Sequence, residues 1–183
     1  MIGRKNLVFG FLYLALTAAL GPYMILELLP GVEKAAGQRQ QQMAKLQLLA
    51  SNDFEQDLEP VPADRLARRN SEALLALNRF LQQRQLVDAV KGGPHAHGNL
   101  EALLNIAVGL TLGLLAVPAL LKQLISWCFL LGALLHSGAL YLAVVFEQGW
   151  AGSLLGTGIG PLLILAGLVL AGIATAMGMR ESA

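Results

Sequence analysis

Residues 91–117, KGGPHAHGNLEALLNIAVGLTLGLLAV, pass from a Gly-Gly-Pro sequence through two histidines into a nearly unbroken apolar run. The run continues to about residue 121, which matches the ~20 residues a helix needs to cross ~30 Å of hydrocarbon. Three further blocks have similar length and character, at residues 7–29, 124–146 and 154–179. Together they predict an all-α integral membrane protein with four transmembrane helices. An extramembrane helical segment, residues 30–99, lies between the first and second.

Composition agrees with that class. The chain has 183 residues, of which 55% are hydrophobic and only 14% charged, and its mean hydropathy is +0.58. A net charge of +1 argues against nucleic acid or a strongly acidic partner, because such binding needs a concentrated positive field. The lone Cys128 has no intrachain partner and sits in an apolar block, so it reads as a small packed hydrophobe. The run at 7–29, behind Arg4 and Lys5, is longer than the core of a signal peptide and reads as an uncleaved first helix. Gly21-Pro22 should kink it.

Orientation follows from the basic residues beside the spans. Arg4, Lys5, Lys122 and Arg180 fall on one side of a four-span arrangement, which makes that side the cytoplasm and places both termini there. The expected location is a bacterial cytoplasmic membrane, with residues 30–99 as an extracytoplasmic insertion and residues 100–183 as the rest of the bundle. The second and third spans are expected to turn at Lys122-Gln123. In the insertion, VEKAAGQRQQQMAKLQLLA and PADRLARRNSEALLALNRFLQQRQLVDAV have helical composition. The second of these aligns Leu66, Ala73, Leu77, Phe80, Arg84 and Val87 near one stripe. The acidic, proline-ended SNDFEQDLEPVP connects them.

Polar residues inside spans are costly and therefore informative. His97, Glu101 and Asn105 recur every four residues and share one helical face, with His95 just ahead of them. Imidazole is a common metal ligand, and a nearby carboxylate can fix its tautomer. His136 lies in the middle of the third span, followed by Ser137 and Tyr141, and serves either as a ligand or as a hydrogen-bonded structural residue. The first span adds Tyr13, Thr17, Tyr23 and Glu27. Gly109, Gly113, Gly132, Gly138, Gly167 and Gly172 allow close helix approach or room for a flat ligand. No P-loop, dinucleotide fingerprint, paired-cysteine zinc motif or c-type haem attachment motif is present.

The histidine-led HAHGNLEALLNIAVG, the third-span GALLHSGALYLAV and the loop GTGIGP together resemble the styrene oxide isomerase family over residues 94–172. That resemblance implies a four-span bundle assembling as a trimer and binding haem b, whose ferric iron acts as a Lewis acid on a small apolar epoxide. It implies His95 as the iron ligand, with His97 as the alternative, and Tyr141 in the active site. The family's active-site asparagine falls at Glu101, with Asn105 one turn on. Its third-span aspartate has no counterpart, since Gly132, Ala133 and then His136 occupy that neighbourhood. Beside this stand two other readings. One is a non-catalytic membrane subunit. The other is an outer-face zinc or copper site on His95, His97, Glu101 and Glu27.

Overall fold

A computed structural model of the chain describes residues 2–178, so Arg180, which enters the orientation argument, lies outside the described residues. Apart from one pair of two-residue strands, the regular structure is helical. The chain divides into two compact units, residues 1–22 with 89–183 and residues 23–88.

The first unit contains α1 (Arg4–Ala18), α5 (Ala96–Leu114), α6 (Ala119–Ala133), α7 (Ala139–Val144), α8 (Gly149–Leu155) and α9 (Ile159–Gly178). The short α2 (Leu20–Tyr23) follows α1 after a break at Ala19. That break sits one turn before Pro22, where proline removes an amide donor and crowds the preceding turn. Among the described residues, three helical stretches are long and apolar enough to cross a membrane: the run Arg4–Ser51, Ala119–Val144 and Ile159–Gly178. The helix α5 is not among them. Its 19 residues carry His97, Asn99, Glu101 and Asn105, which dilute an otherwise apolar sequence.

Close backbone approach organises this unit. On α1, a side chain at Gly10 would meet the Ala102 carbonyl at 2.8 Å, while on α5 one at Gly109 would meet the Gly3 carbonyl at 2.9 Å. A Cβ at Gly98 would collide with Thr17. The α6–α9 contact works the same way, with Gly132 against Ile164 and Gly167 against Phe129. Phe129 and Ile125 are fully buried in a cluster with Val108, Leu112, Leu115 and Ala174. Small residues at such crossings let dispersion contacts and backbone packing hold helices together where no hydrophobic drive exists between them. By contrast, Gly113 and Gly172 have open space around them.

One sequence expectation changes here. The turn after α5 lies at Leu115–Pro118, not at Lys122-Gln123, which are inside α6. Proline at position 118 lacks the amide a continuing helix needs, so it serves as the residue before α6 instead. At Gly92-Gly93-Pro94 the chain kinks: Gly93 leaves helical geometry at φ −87°, ψ −106° and so separates the helix before it from α5. Genuine π-turns occupy Met24–Leu28 and Leu134–Gly138.

The second unit is a helical hairpin of α3 (Leu29–Ser51) and α4 (Ala63–Val90). Side chains join its arms. Arg39 lies over the Phe80 ring at 4.4 Å, and Ala35, Leu49, Ala73 and Ala76 are buried. Leu66, Leu77, Phe80 and Val87 are half-buried, whereas Arg84 is exposed and pairs with Asp88 at 3.8 Å. In the connection, β1 (Glu55–Gln56) and β2 (Glu59–Pro60) are antiparallel, with Glu55 opposite Pro60. Asp57 and Leu58, at the tip, both have positive φ, as a two-residue hairpin turn requires.

Candidate metal centre

The apolar interior of the first unit is interrupted by a connected set of polar groups. Glu101, on α5, is buried at 4% exposure, where an unpaired carboxylate would be expensive. It is fully engaged. His136 Nδ1 donates to Oε1 at 2.5 Å, and Ser137 Oγ donates to Oε2 at 2.5 Å. The Tyr13 hydroxyl, from α1, lies 2.8 Å from Ser137 Oγ. Because the serine hydrogen points to the carboxylate, tyrosine is the donor in that contact.

The local backbone explains how two groups on successive residues reach one carboxylate. His136 and Ser137 lie in the π-turn Leu134–Gly138, whose extra residue per turn re-aims side chains and frequently marks functional positions. The turn is also pressed from behind. A Cβ at Gly160 of α9 would stand 2.6 Å from His136 N and 2.7 Å from His136 Cβ, so only glycine fits there.

His97 completes the group. Its ring lies 4.8 Å from that of His136, centroid to centroid, and tilted by 61°. One ligand atom each from His97, Glu101 and His136 can be chosen within 4.8 Å of one another. His97 is exposed and His136 half-buried, so the group runs from the buried carboxylate to the surface of this unit. With both Glu101 oxygens and His136 Nδ1 occupied, the nitrogen left to a ligand on His136 is Nε2.

The remaining sequence candidates are placed elsewhere. His95 is half-buried, and its Nδ1 is 3.0 Å from the Thr17 carbonyl. A carbonyl can only accept, so Nδ1 carries the proton and Nε2 is bare. Asn105 is fully buried in a structural lock. It accepts from Asn6 Nδ2 at 2.9 Å and donates to the Glu101 and Phe129 carbonyls at 3.0 and 3.2 Å. Asn6 and Ser126 close the lock through a further side-chain hydrogen bond. Tyr141 is half-buried beside Phe146, ring centroids 5.7 Å apart. Glu27 is an exposed residue of the second unit.

Sequence reading singled out His97, Glu101 and His136 but did not foresee that they converge, since 35 residues separate Glu101 from His136. It passed over the parts played by Ser137 and Tyr13. The available signal was a hydroxyl adjoining an in-span histidine, and Tyr13 and Thr17 four apart on the first span.

These features define a class: a helical protein with three membrane-capable helices and a histidine–carboxylate group that could hold a metal ion. Comparison with protein-family models, with curated proteins and with solved structures finds no match.

Proposed function

We propose that the chain is a four-span membrane protein working through a transition-metal centre, with His97 and His136 as nitrogen ligands. Glu101 orients the His136 ring, and α5 is the second span. The observation that carries this reading is the convergence of one ligand atom each from His97, Glu101 and His136 within 4.8 Å. Imidazole nitrogen suits zinc, copper and iron, and metal-bound histidines commonly give their other nitrogen to a carboxylate.

Ring spacing discriminates between kinds of centre. With metal–nitrogen distances of about 2.1 Å, two imidazoles on neighbouring positions of one ion have centroids about 5 Å apart, and on opposite positions about 6.5 Å. The observed 4.8 Å suits neighbouring positions on one small ion. It does not suit opposite faces of a haem. When bound, such an ion supplies Lewis-acid polarisation of a ligand oxygen. Around it, Glu101 keeps the His136 proton on Nδ1, and Ser137 and Tyr13 hold Glu101 in place. Apolar helix faces favour small hydrophobic substrates arriving from the bilayer. Metal analysis of the detergent-purified protein should give one ion per chain, lost in His97→Ala and in His136→Ala but kept in Tyr141→Phe. Background metal in the parent protein would sink the reading.

A second reading rests on His95. Its Nδ1 bond to the Thr17 carbonyl leaves Nε2 as the atom with which His95 would hold the iron of a haem b. Isomerisation of an epoxide, and a trimeric assembly, belong with this reading. It predicts a Soret band that disappears in His95→Ala and persists in His136→Ala.

A further inference from the structure

A different part of the first unit carries a second binding site. The start of α1 and the α5–α6 connection lie at one end of this unit. The end of α9 joins them there through the Ala116 amide, which donates to the Gly178 carbonyl at 2.6 Å. Three ends of apolar helices at one level mark a membrane–water boundary. At that level is a cavity of about 680 Å³ lined by Ile2, Arg4, Lys5, Val8, Phe9 and Gln123.

The lining is divided by chemistry. Ile2, Val8 and Phe9 are apolar, while Arg4 and Lys5 are cationic, and neither makes an ion pair among the described residues. Lys5 is held in place on two sides. Its ammonium donates to Gln123 Oε1 at 2.8 Å and sits over the Trp127 ring at 3.9 Å. An ammonium has three hydrogens, so donors remain after the Gln123 contact. Trp127 is half exposed, as expected of an aromatic anchor at the boundary. Lys122, one residue before Gln123, adds a third positive charge at this end of the unit.

We propose that this cavity is a binding site for an anionic phospholipid, with the headgroup phosphate on Arg4 and Lys5 and an acyl chain along Val8 and Phe9. Charge complementarity selects the occupant. Unpaired cations beside an apolar wall at a span end meet an anion that is itself tethered to hydrocarbon, and basic pockets of this kind hold acidic headgroups. A free phosphate would use the cations but leave the apolar wall exposed. The site is independent of the metal centre and requires only that the helices enter a bilayer.

The test uses the full chain in phosphatidylcholine nanodiscs with and without phosphatidylglycerol, read by native mass spectrometry after detergent release. Phosphatidylglycerol should be retained selectively. Each removed charge should weaken retention roughly fivefold, in Arg4→Gln alone and further in Arg4→Gln/Lys5→Gln. Arg4 is exposed, so its variant tests the site even if loss of the Lys5–Trp127 contact impairs folding. Arg65→Gln, in the second unit, should leave retention unchanged. Excess inorganic phosphate should not displace the lipid; displacement by phosphate alone would mean an ion site and overturn the proposal. Equal retention of the two lipids, or retention unaffected by Arg4→Gln, would overturn it as well.

Discussion

Glu101 concentrates most of the electrostatic demand of the first unit, because a buried carboxylate survives at membrane depth only through its partners. His136, Ser137 and the Ser137 backbone amide all bind it, the last at 3.4 Å. Glu101→Gln keeps the shape but removes the charge that orients the His136 ring. Outer partners of this kind typically contribute 10–100-fold to metal affinity. Cobalt titration of the metal-stripped protein should therefore show a weakening of about 10–100-fold, with smaller losses in Ser137→Ala. Asn105 should behave in the opposite way. Asn105→Ala removes the bonds to Asn6 Nδ2 and to the Glu101 and Phe129 carbonyls, while Asn6 keeps its bonds to Ser126, a loss of about 0.5–1.5 kcal/mol for each bond. The expected outcome is a lowered midpoint in denaturant unfolding with metal stoichiometry intact, a separation that distinguishes the lock from the centre.

At the scale of elements, α9 sets the geometry of a site to which it contributes no ligand. Gly160 lets α9 lie against the backbone of His136, and the π-turn aims His136 and Ser137 together at α5. Gly160→Val should thus move the turn and weaken cobalt binding about as much as Glu101→Gln does, whereas Gly172→Val, on an open face of the same helix, should leave it unchanged. Failure of Gly160→Val to alter affinity would remove α9 from the description of the site. What was legible in the sequence follows the same division. Apolar block length located the helical runs that contain α6 and α9 but misplaced the start of each by five residues, and glycine spacing marked Gly109, Gly132 and Gly167 as crossing points. The π-turns were not legible. At Leu134–Gly138 the cause is tertiary, in that α9 presses on the turn from one side and Glu101 draws in two consecutive side chains from the other. The break at Gly92-Gly93-Pro94 was legible by contrast, because Gly93 leaves helical geometry where this breaker interrupts the chain.

For the whole molecule, the helix that fails the simple apolarity test is the one that carries the buried Glu101 and Asn105. The polar residues of α5 are costly only when considered alone. Glu101 and Asn105 find partners on α1, α6 and the π-turn beside α6, so the penalty falls when the bundle closes. The sequence displays those polar residues but not their partners, which lie on other helices far along the chain. The four-span reading has a direct consequence for sidedness. With α5 crossing the membrane, residues 30–99 face away from the cytoplasm and the Leu115–Pro118 turn faces it. In a Cys128→Ser background, a single cysteine replacing the exposed Gln41 on α3 should react with a membrane-impermeant maleimide added to intact cells. A cysteine replacing the exposed Ala116 should react only after the membrane is opened. Should both positions react from outside, α5 does not span, and the metal centre would have to be placed at the membrane surface instead of within it.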